Sequence, residues 1–284
     1  MWLKFLLGVF FLLSLLGAFV LAPPPGSSRA NEHEHSGHEG TRLRLLTWNI
    51  GNGDLETETR AHDEDLQDVA KVISDNDPDA VALQELTGEA QLKLLLAHLQ
   101  HRYSGFVCNS GSADRVEAVL VKKDEDAAKS GGTRFESINA GERFAAAARF
   151  QLQSSPEIVL VSAHADAFSA SRRRAFVEKV VDWTRSQPER RIVFVAGDFN
   201  FEVSTRNKSN LFTDDAKHDS ESYAYLLKYS RDLGRDAGET SVNDRRIDYV
   251  FGPPGSVSLS RAEVLRGSAV GRMDHWPLLV EVTF

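Results

Sequence analysis

The sequence predicts a single domain of the α/β or α+β class, and three observations predict it. From Leu43 to Phe284, apolar runs of strand length alternate with segments of helical period. No second linker and no repeat of fixed spacing interrupts this stretch. The chain has 284 residues, of which 42% are hydrophobic, and that length encloses a substantial core. We therefore expect one domain over residues 43–284.

Eight apolar runs have the length and composition of β-strands. They cover residues 43–47, 80–83, 116–121, 144–152, 158–163, 192–196, 246–251 and 278–282. Two segments between them have the i, i+3, i+4, i+7 spacing of an amphipathic helix, residues 66–73 and 177–184. Pro78 follows the first of these segments and is typical of the end of a helix.

The N-terminal segment predicts an export signal or a membrane anchor. Lys4 precedes an apolar run over residues 5–22, which is longer than the usual signal-peptide core of about 7–15 residues and shorter than a spanning helix of about 20. Val20 and Ala22 fit a small-residue cleavage site, which favours a cleaved signal over an uncleaved anchor. Residues 23–42 are rich in Pro, Gly, Ser and charge and predict a flexible linker. We expect the remaining domain to be extracytoplasmic, secreted or periplasmic, and monomeric.

Composition limits the classes of partner and of metal site. The chain carries 33 Lys and Arg against 41 Asp and Glu, a formal net charge of −8, which argues against a protein that binds nucleic acid through a basic surface. An anionic partner would therefore be bound by a few local residues or through a metal ion. Cys108 is the single cysteine, which excludes an intramolecular disulfide and a cysteine-based zinc or iron–sulfur site. The linker histidines His33, His35 and His38 could bind a transition metal, but a solvated tether is the favoured interpretation.

Polar residues follow four of the predicted strands at the point where each strand ends. Asn49 follows LRLLTW, Glu85 follows AVALQ, His164 follows IVLVSA, and Asp198 and Asn200 follow IVFVAG. Taken singly, such residues are usually turn formers, helix caps or hydrogen-bonded core residues. Ligands of open α/β sheets bind beyond the carboxyl ends of the strands, so residues placed there converge on one cleft. Four such strands together indicate a functional site.

Two further acidic residues and a histidine stand near the C-terminus of the chain. Asp248 interrupts the predicted strand RIDYVF, and Asp274 and His275 precede the last strand in MDHWPLLVEV. A carboxylate inside a strand needs a partner, and histidine is the natural one because a carboxylate orients and charges an imidazole. We therefore predict that Asp248 and His275 form a pair.

The order of these motifs resembles the endonuclease/exonuclease/phosphatase superfamily, which includes deoxyribonuclease I, exonuclease III-type repair nucleases, bacterial sphingomyelinases and inositol polyphosphate 5-phosphatases. TWNI, QE, a strand-end histidine, GDFN, RIDYVF and DHWPL occur in that order. The resemblance covers about residues 43–284. It implies a four-layer α/β/β/α sandwich of two packed mixed β-sheets, with a divalent-metal phosphodiesterase or phosphatase site at the top edge of the sheets.

The resemblance also implies a set of oxygen ligands for a metal ion. Glu85 is the principal ligand by this resemblance, with Asn49 beside it and Asp274 as a further candidate. Carboxylate and amide oxygens suit Mg²⁺, which keeps several waters and so needs few protein ligands. Mg²⁺ is the predicted cofactor, and Mn²⁺ is the alternative.

The remaining motif residues are assigned to the reacting phosphate. Asp198 orients or deprotonates the attacking water, and Asn200 hydrogen-bonds a phosphoryl oxygen without adding negative charge. His275, with Asp248 behind it, acts as a general acid or base or holds the phosphate. His164 donates a hydrogen bond to the pentacoordinate phosphoryl group. The sequence leaves open which histidine protonates the leaving group.

Basic residues near these motifs are candidates for contact with the substrate. Arg143, in GERFAAAARF, is a candidate phosphate contact, with a surface strand residue as the equal alternative. The run 172–174 is all arginine, and Arg206 and Lys208 follow GDFN. They could form a basic rim around the site, although a solvated helix face is the favoured interpretation of the run.

Three functions follow from the sequence. The first is an exported, metal-dependent phosphodiesterase, most simply a nuclease that binds DNA or RNA transiently. The second keeps the site but changes the substrate to a phospholipid head group or a phosphorylated small molecule. The third is a non-catalytic binding protein on the same fold, which is disfavoured because the reactive residues Glu85, Asp198, Asp248 and His275 are all present. A membrane partner is expected only through residues 5–22.

Overall fold

Two mixed β-sheets of six strands each form the body of the domain. The computed structural model describes residues 40–51, 61–108, 115–123, 132–153, 155–203, 216–242, 244–268, 270–271 and 273–284. The predicted signal or anchor, most of the linker, Arg206 and Lys208 therefore lie outside the described residues. Within the described ranges, no helix is long and apolar enough to cross a membrane.

The first sheet has the strand order β11-β12-β1-β2-β4-β3. Its strands are β1 (Arg42–Asn49), β2 (Ala80–Leu86), β3 (Tyr103–Val107), β4 (Val116–Lys122), β11 (Ser258–Val264) and β12 (Leu278–Thr283). β1 and β2 are parallel, and the other neighbours are antiparallel. β2, AVALQEL, is almost wholly buried, which explains its near-continuous apolar sequence.

The second sheet has the order β5-β6-β7-β8-β10-β9. Its strands are β5 (Arg134–Asn139), β6 (Phe144–Phe150), β7 (Ile158–His164), β8 (Ile192–Asp198), β9 (Arg231–Asp232) and β10 (Asp248–Gly252). β7 and β8 are parallel, so each sheet has one central parallel pair among antiparallel neighbours.

Two pairs of helices complete the four layers that the resemblance implies. They are α1 (Ala61–Asn76), α2 (Glu89–His98), α3 (Ala170–Arg185) and α4 (Ala216–Leu227). The side chains of Leu66 on α1 and Leu92 on α2 are buried in the core of the first sheet. Those of Val177 on α3 and Leu226 on α4 are buried in a second core, against the second sheet. The inner faces of the sheets pack on each other, with β2 against β7 and β4 against β6.

A buried polar link joins the two sheets close to their carboxyl ends. Gln84 Nε2 donates to Ser162 Oγ at 2.9 Å, and Ser162 Oγ donates to the carbonyl of Leu83 at 2.8 Å. All three residues are fully buried. Buried polar groups stabilise a fold only when they are paired, so this link defines how β2 and β7 lie against each other.

All eight predicted strands are present, and four further strands and two helices were not predicted. β5 and β11 lie at the edges of their sheets, and most of their residues are exposed or half-buried, so their sequences lack a strong apolar pattern. Two predicted strands extend beyond the observed ones. β6 ends at Phe150 rather than at residue 152. β10 begins at Asp248 rather than at residue 246, because the backbone N–H groups of Arg246 and Ile247 donate to the side chains of Glu202 and Thr240. Asp248 is thus the first residue of its strand and not a residue in its middle.

Candidate active site

The carboxyl ends of the two parallel strand pairs meet at one edge of the sandwich. Asn49 ends β1, Glu85 is the penultimate residue of β2, His164 ends β7 and Asp198 ends β8. The side-chain amide of Asn49 joins the two sheets there, because Nδ2 lies 3.1 Å from both Glu85 Oε1 and Asp198 Oδ2. The structure thus brings together four residues that the sequence places on four different strands.

Glu85 projects into the site because its backbone leaves the regular strand geometry. Its φ angle is 63°, and the register between β2 and β4 shifts between Leu83 and Leu86. Such irregularities re-aim a side chain, and a non-glycine residue in the left-handed region costs on the order of 1–3 kcal/mol. A Cβ atom at Gly51 would lie 2.0 Å from Glu85 Oε2, so only glycine leaves room for this carboxylate.

Both oxygens of the Glu85 carboxylate have a donor beside them. Arg115 forms an ion pair with its Oε2 atom, and Oε1 accepts from Asn49. Glu85 and Asp198 both approach His164 Nε2, at 3.8 and 3.6 Å. Two carboxylates that converge in a largely buried site repel each other unless a cation lies near them, so these residues suit a divalent ion.

Asp198 and Asn200 are arranged by a tight turn at the end of β8. The backbone N–H of Asn200 donates to Asp198 Oδ1 at 2.8 Å, and Asn200 has a φ angle of 52°, which asparagine tolerates better than most residues. Its Nδ2 atom donates to the carbonyl of Ala165 at 3.2 Å and lies 3.2 Å from His164 Nε2. The turn therefore places an amide beside the His164 ring.

His164 is held as a neutral imidazole. Burial lowers the pKa of His164 to about 4, against the opposing effect of Asp198. Because Asn200 donates its amide hydrogens, Nε2 of the neutral ring accepts and the ring proton lies on Nδ1. Nδ1 faces Glu117 Oε1 at 3.6 Å.

Glu117, on β4, is a site residue that the sequence reasoning missed. Its carboxylate is buried, with Oε1 facing His164, and Oε2 accepts from the thiol of Cys108 at 3.1 Å. Burial raises the pKa of Glu117 to about 7, and burial also raises the pKa of the Cys108 thiol. The signal was present in the sequence, because Glu117 is the one charged residue inside the apolar run 116–121, just as Asp248 interrupts its own run.

His275 is the charged histidine of the site. Its Nδ1 atom lies 2.8 Å from Asp248 Oδ2, and its Nε2 atom lies 3.7 Å from Asp198 Oδ2. Burial lowers the pKa of His275, but Asp248 and then Asp198 outweigh burial and raise that pKa to about 9. Trp48 Nε1 donates to the His275 carbonyl at 3.0 Å, and Thr240 Oγ1 accepts from the Asp248 backbone N–H. The Asp248–His275 pair is therefore buried and held by both sheets.

Asp198, Asp248 and His275 bring three buried ligand atoms together in the described ranges, and this set could hold a metal ion only if His275 were unprotonated. One atom each from Asp198, Asp248 and His275 lies within 4.8 Å of the others, and Asp248 Oδ1 has no hydrogen-bond partner among the described residues. A protonated His275 cannot ligate a metal, whereas Glu85 and Asp198 offer carboxylate oxygens at once. Glu85 and Asp198 are thus the residues best suited to hold a divalent ion while His275 remains protonated.

The other two predicted ligands lie beside this set. The Asn49 oxygen accepts from the backbone N–H of Gly51 at 2.9 Å, and its amide nitrogen faces the carboxylates. Asp274 is partly exposed, and its Oδ1 atom lies 3.9 Å from His275 Nε2. The metal-ligand roles of Asn49 and Asp274 stay predictions.

The arginines that the sequence offered as substrate contacts have separate environments. Arg143 Nη1 donates to the carbonyl of His164 at 3.5 Å, so it reaches the site edge. In the run 172–174, Arg172 is exposed, Arg173 is fully buried and bonded to Asp219, and Arg174 is half-buried and bonded to Glu178. The run is therefore neither a continuous basic rim nor a solvated face.

Comparisons with known proteins agree with this fold. The sequence matches the Endonuclease/Exonuclease/phosphatase family over residues 46–271. No curated protein sequence matches the chain. An endonuclease/exonuclease/phosphatase from Bacteroides vulgatus superposes with a TM-score of 0.67 at 18% identity, covering 86% of this chain and 99% of the other.

Two further solved structures show the same fold at low identity. A mannosyl-6-phosphatase from Bacteroides thetaiotaomicron gives a TM-score of 0.62 at 17% identity, covering 85% of this chain and all of the other. The human nocturnin catalytic domain with bound sulfate gives 0.59 at 17% identity, covering 86% and 94%. The family match extends over residues 46–271, and the two packed sheets with flanking helices agree with it. The chain therefore belongs to the endonuclease/exonuclease/phosphatase family and has its phosphoesterase fold.

Proposed function

We propose that the protein is a divalent-metal-dependent phosphodiesterase that uses water as its nucleophile, with nucleic acid as the first candidate substrate. The observation that carries the proposal is the convergence of a neutral histidine, a charged histidine and two carboxylates at one sheet edge. Hydrolysis of a phosphate ester needs an oriented water, neutralisation of phosphoryl charge and a proton for the leaving oxygen. Each need has a residue suited to it.

Glu85 and Asp198 would hold the metal ion, with Asn49 between them. When bound, Mg²⁺ or Mn²⁺ supplies positive charge to the phosphoryl oxygens and to the attacking water. Arg115 already pairs with Glu85 Oε2, so a metal ion held by Glu85 would share this carboxylate with a guanidinium. Oxygen donors of this kind favour Mg²⁺ and Mn²⁺ over softer metals.

Asp198 is proposed to orient and deprotonate the attacking water. It is buried, one carboxylate oxygen is bonded to Asn200 and the other faces both histidines. Asn200, whose amide lies beside the His164 ring, is proposed to donate to a phosphoryl oxygen without adding negative charge. In the tautomer with its proton on Nδ1, His164 Nε2 has no hydrogen to donate to that oxygen, so the sequence-based assignment of His164 as a phosphate donor does not fit this arrangement.

The pKa values favour His275 as the acid. At neutral pH His275 carries a proton that it can release to the leaving oxygen, whereas His164 is neutral. Asp248 stabilises the imidazolium and orients the ring through Nδ1, so that Nε2 faces the site. This assigns the two histidines to different tasks.

We also propose that the protein is a monomer that binds its substrate transiently, and that it is exported. Export is supported by the apolar run 5–22 and by the linker after it. Fractionation of cells that express the full chain tests it, with the mass of the protein in the secreted or periplasmic fraction reporting cleavage. Recovery of the uncleaved chain from the cytoplasm would contradict export.

The experiment for the activity is a substrate panel on the full-length protein. Supercoiled plasmid, single-stranded DNA and RNA, sphingomyelin and nitrophenyl phosphate are incubated with MgCl₂, MnCl₂ or EDTA. We expect metal-dependent nicking or degradation of nucleic acid, abolished in Asp198→Asn and reduced at least about 100-fold in His275→Ala. Full hydrolytic activity in His275→Ala would contradict the assignment of the acid. No metal-dependent turnover of any substrate would contradict the proposed function.

A second candidate is a phosphatase or phosphodiesterase of small molecules. The formal net charge of −8 disfavours tight binding of a polyanion. The arginines at the edge of the site are partly neutralised as well, because Arg115 pairs with Glu85 and Arg143 lies 3.9 Å from Asp166. Sugar phosphates added to the panel distinguish this candidate, since their turnover would exceed that of nucleic acid.

A further inference from the structure

A cavity of about 250 Å³ lies beside the site, between the β5–β6 turn and the N-terminal half of α3. We call it the side cavity. Ala140, Ala175 and Phe176 contribute apolar surface to it, and Arg143, Arg172 and Lys179 contribute positive charge. A volume of that size accommodates a group as large as one sugar ring or one nucleobase, and is smaller than the roughly 300–1,000 Å³ of most pockets for whole drug-sized ligands.

Arg143 connects the side cavity to the reacting centre. It lines the cavity, and its Nη1 atom donates to the carbonyl of His164, the last residue of β7. Asp166, which also lines the cavity, follows His164 by two residues. Arg143 and Asp166 therefore line the side cavity and also lie next to His164, the first in space and the second along the chain.

The charges of the cavity are unevenly compensated. Asp166 Oδ1 accepts from the backbone N–H groups of Phe168 and Ser169 at 2.8 and 2.7 Å, and Asp166 Oδ2 lies 3.9 Å from Arg143 and 3.7 Å from Arg172. A single carboxylate thus faces four donors.

The remaining cavity charges leave an excess of cations. Glu142 lies 3.3 Å from Arg172. Lys179 forms no ion pair or hydrogen bond with any other residue in the described ranges. Three cations therefore face two carboxylates, and an anionic group would find Lys179 available.

The spacing along α3 places the two outer cations at opposite ends of one helix face. Arg172 and Lys179 are seven residues apart, which is about 10 Å along a helix axis, and Ala175 lies between them on the same face.

We propose that the side cavity is a subsite for a second phosphate of the substrate, with the ring that connects the two phosphates resting on the apolar floor. The proposal rests on the proposed phosphoesterase function. It narrows the substrate class to compounds in which a sugar-sized or nucleoside-sized group separates the scissile phosphate from a second anionic phosphate. Such a phosphate occurs in a nucleotide chain or in a sugar bisphosphate, and the chemistry recognised is the same.

The experiment uses substrate pairs that differ only in the second phosphate. The nucleotide pair is thymidylyl-thymidine with and without a 5′-phosphate, and the sugar pair is glucose 1,6-bisphosphate and glucose 6-phosphate. The full-length protein, Lys179→Ala and Arg172→Ala are assayed with Mg²⁺. Lys93→Ala and Arg190→Ala are the matched controls, because both residues are exposed cations that do not line the side cavity.

We expect wild-type kcat/KM to be at least about tenfold higher for the two-phosphate member of the preferred pair, since partly exposed charge pairs are worth a few-fold each. Lys179→Ala and Arg172→Ala should each lower that ratio about fivefold through KM, and the controls should leave the ratio unchanged. The pair that shows the effect identifies the source of the phosphate. Hydrolysis with an unchanged ratio in both variants would overturn the subsite while leaving the proposed function intact.

A binding measurement keeps the subsite testable if none of these compounds is hydrolysed. Calorimetric titration of Asp198→Asn with adenosine 3′,5′-bisphosphate and with adenosine 5′-monophosphate compares affinities without turnover. We expect the bisphosphate to bind at least about fivefold more tightly, and the difference to disappear when Lys179→Ala is added. Equal affinities in the presence of Lys179 would overturn the subsite. A bisphosphate preference in Asp198→Asn, together with no hydrolysis of any substrate in the panel by the wild-type protein, would support the subsite and contradict the proposed function.

Discussion

His275 lies between two carboxylates that face each other across paired strands. Its Nδ1 atom is 2.8 Å from Asp248 Oδ2 and its Nε2 atom is 3.7 Å from Asp198 Oδ2, and Asp248 on β10 is the register partner of Asp198 on β8. The two negative charges raise the pKa of His275 to about 9 in spite of burial. The strand pairing thus creates a charged acid at neutral pH.

Asp248→Asn should move the alkaline limb of the pH–rate profile to lower pH. The substitution removes the larger of the two charges that raise the His275 pKa, while Asp198 and the ring remain. We expect the apparent pKa of the alkaline limb to fall by about one to two units, measured as kcat/KM against pH with the metal concentration fixed. An unchanged limb would show that the limb belongs to another group.

The same pair should make stability depend on pH with a defined sign. The folded-state pKa of His275, about 9, lies above its ordinary value of 6.5, so the folded protein binds the proton more tightly. The contribution is complete below pH 6.5 and is lost as the pH rises through 9, with an upper value of about 3 kcal/mol. Urea unfolding at pH 6 and pH 9.5 measures it. His275→Gln should remove most of the wild-type difference between the two pH values.

Glu85→Gln should abolish stabilisation by metal. A ligand that binds only the folded state raises the melting temperature, by about 5–10 °C at a hundredfold excess over its Kd for a domain of this size. We expect Mg²⁺ or Mn²⁺ to produce such a shift in the wild-type protein and in the control Glu89→Gln, whose residue is an exposed acid on α2. A full shift in Glu85→Gln would show that the metal binds elsewhere, with Asp198, Asp248 and His275 as the next ligand set to test.

Gly51→Ala should lower activity by displacing Glu85. The added Cβ atom would lie 2.0 Å from Glu85 Oε2, so the carboxylate or the backbone must move. We expect a loss of at least about tenfold in kcat/KM, since small displacements of catalytic groups are costly, together with weaker metal binding. Gly267→Ala is the matched control because no atom lies within 4 Å of its added Cβ. Equal activity of both variants would argue against a constraint on Glu85.

Glu117→Gln should impair the chemical step more than substrate binding. Glu117 Oε1 faces the proton on His164 Nδ1, and an amide at this position removes the charge that favours that tautomer. We expect kcat to fall about tenfold or more with KM little changed. Cys108→Ser retains a donor to Glu117 and should be milder than Cys108→Ala. Wild-type kcat in Glu117→Gln would show that His164 is oriented by Asn200 alone.

The sequence by itself determined the strands that carry the site and the residue types at their ends. β2, β7 and β8 are buried on both faces and therefore read as continuous apolar runs. A polar residue after such a run is conspicuous, as Glu85 and Asp198 show. Local pattern is sufficient there because burial imposes a strong requirement on each residue.

Edge strands and the left-handed turn at Glu85 were not predictable in this way. β5 and β11 are each paired on one side only, by the strand that follows them in the chain, and their stability comes from that pairing rather than from an apolar pattern. The positive φ of Glu85 depends on the register shift against β4. Neither feature has a signature in the residues themselves.

Only the tertiary structure decided the protonation state of each site histidine and the exposure of each arginine near the site. The sequence left open which histidine protonates the leaving group, whereas in the structure burial lowers the pKa of His164 to about 4, and Asp248 with Asp198 raises the pKa of His275 to about 9. The run 172–174 likewise divides into one exposed, one buried and one half-buried arginine. Electrostatic interactions depend on distance and burial in three dimensions, and neither quantity is contained in the order of residues along the chain.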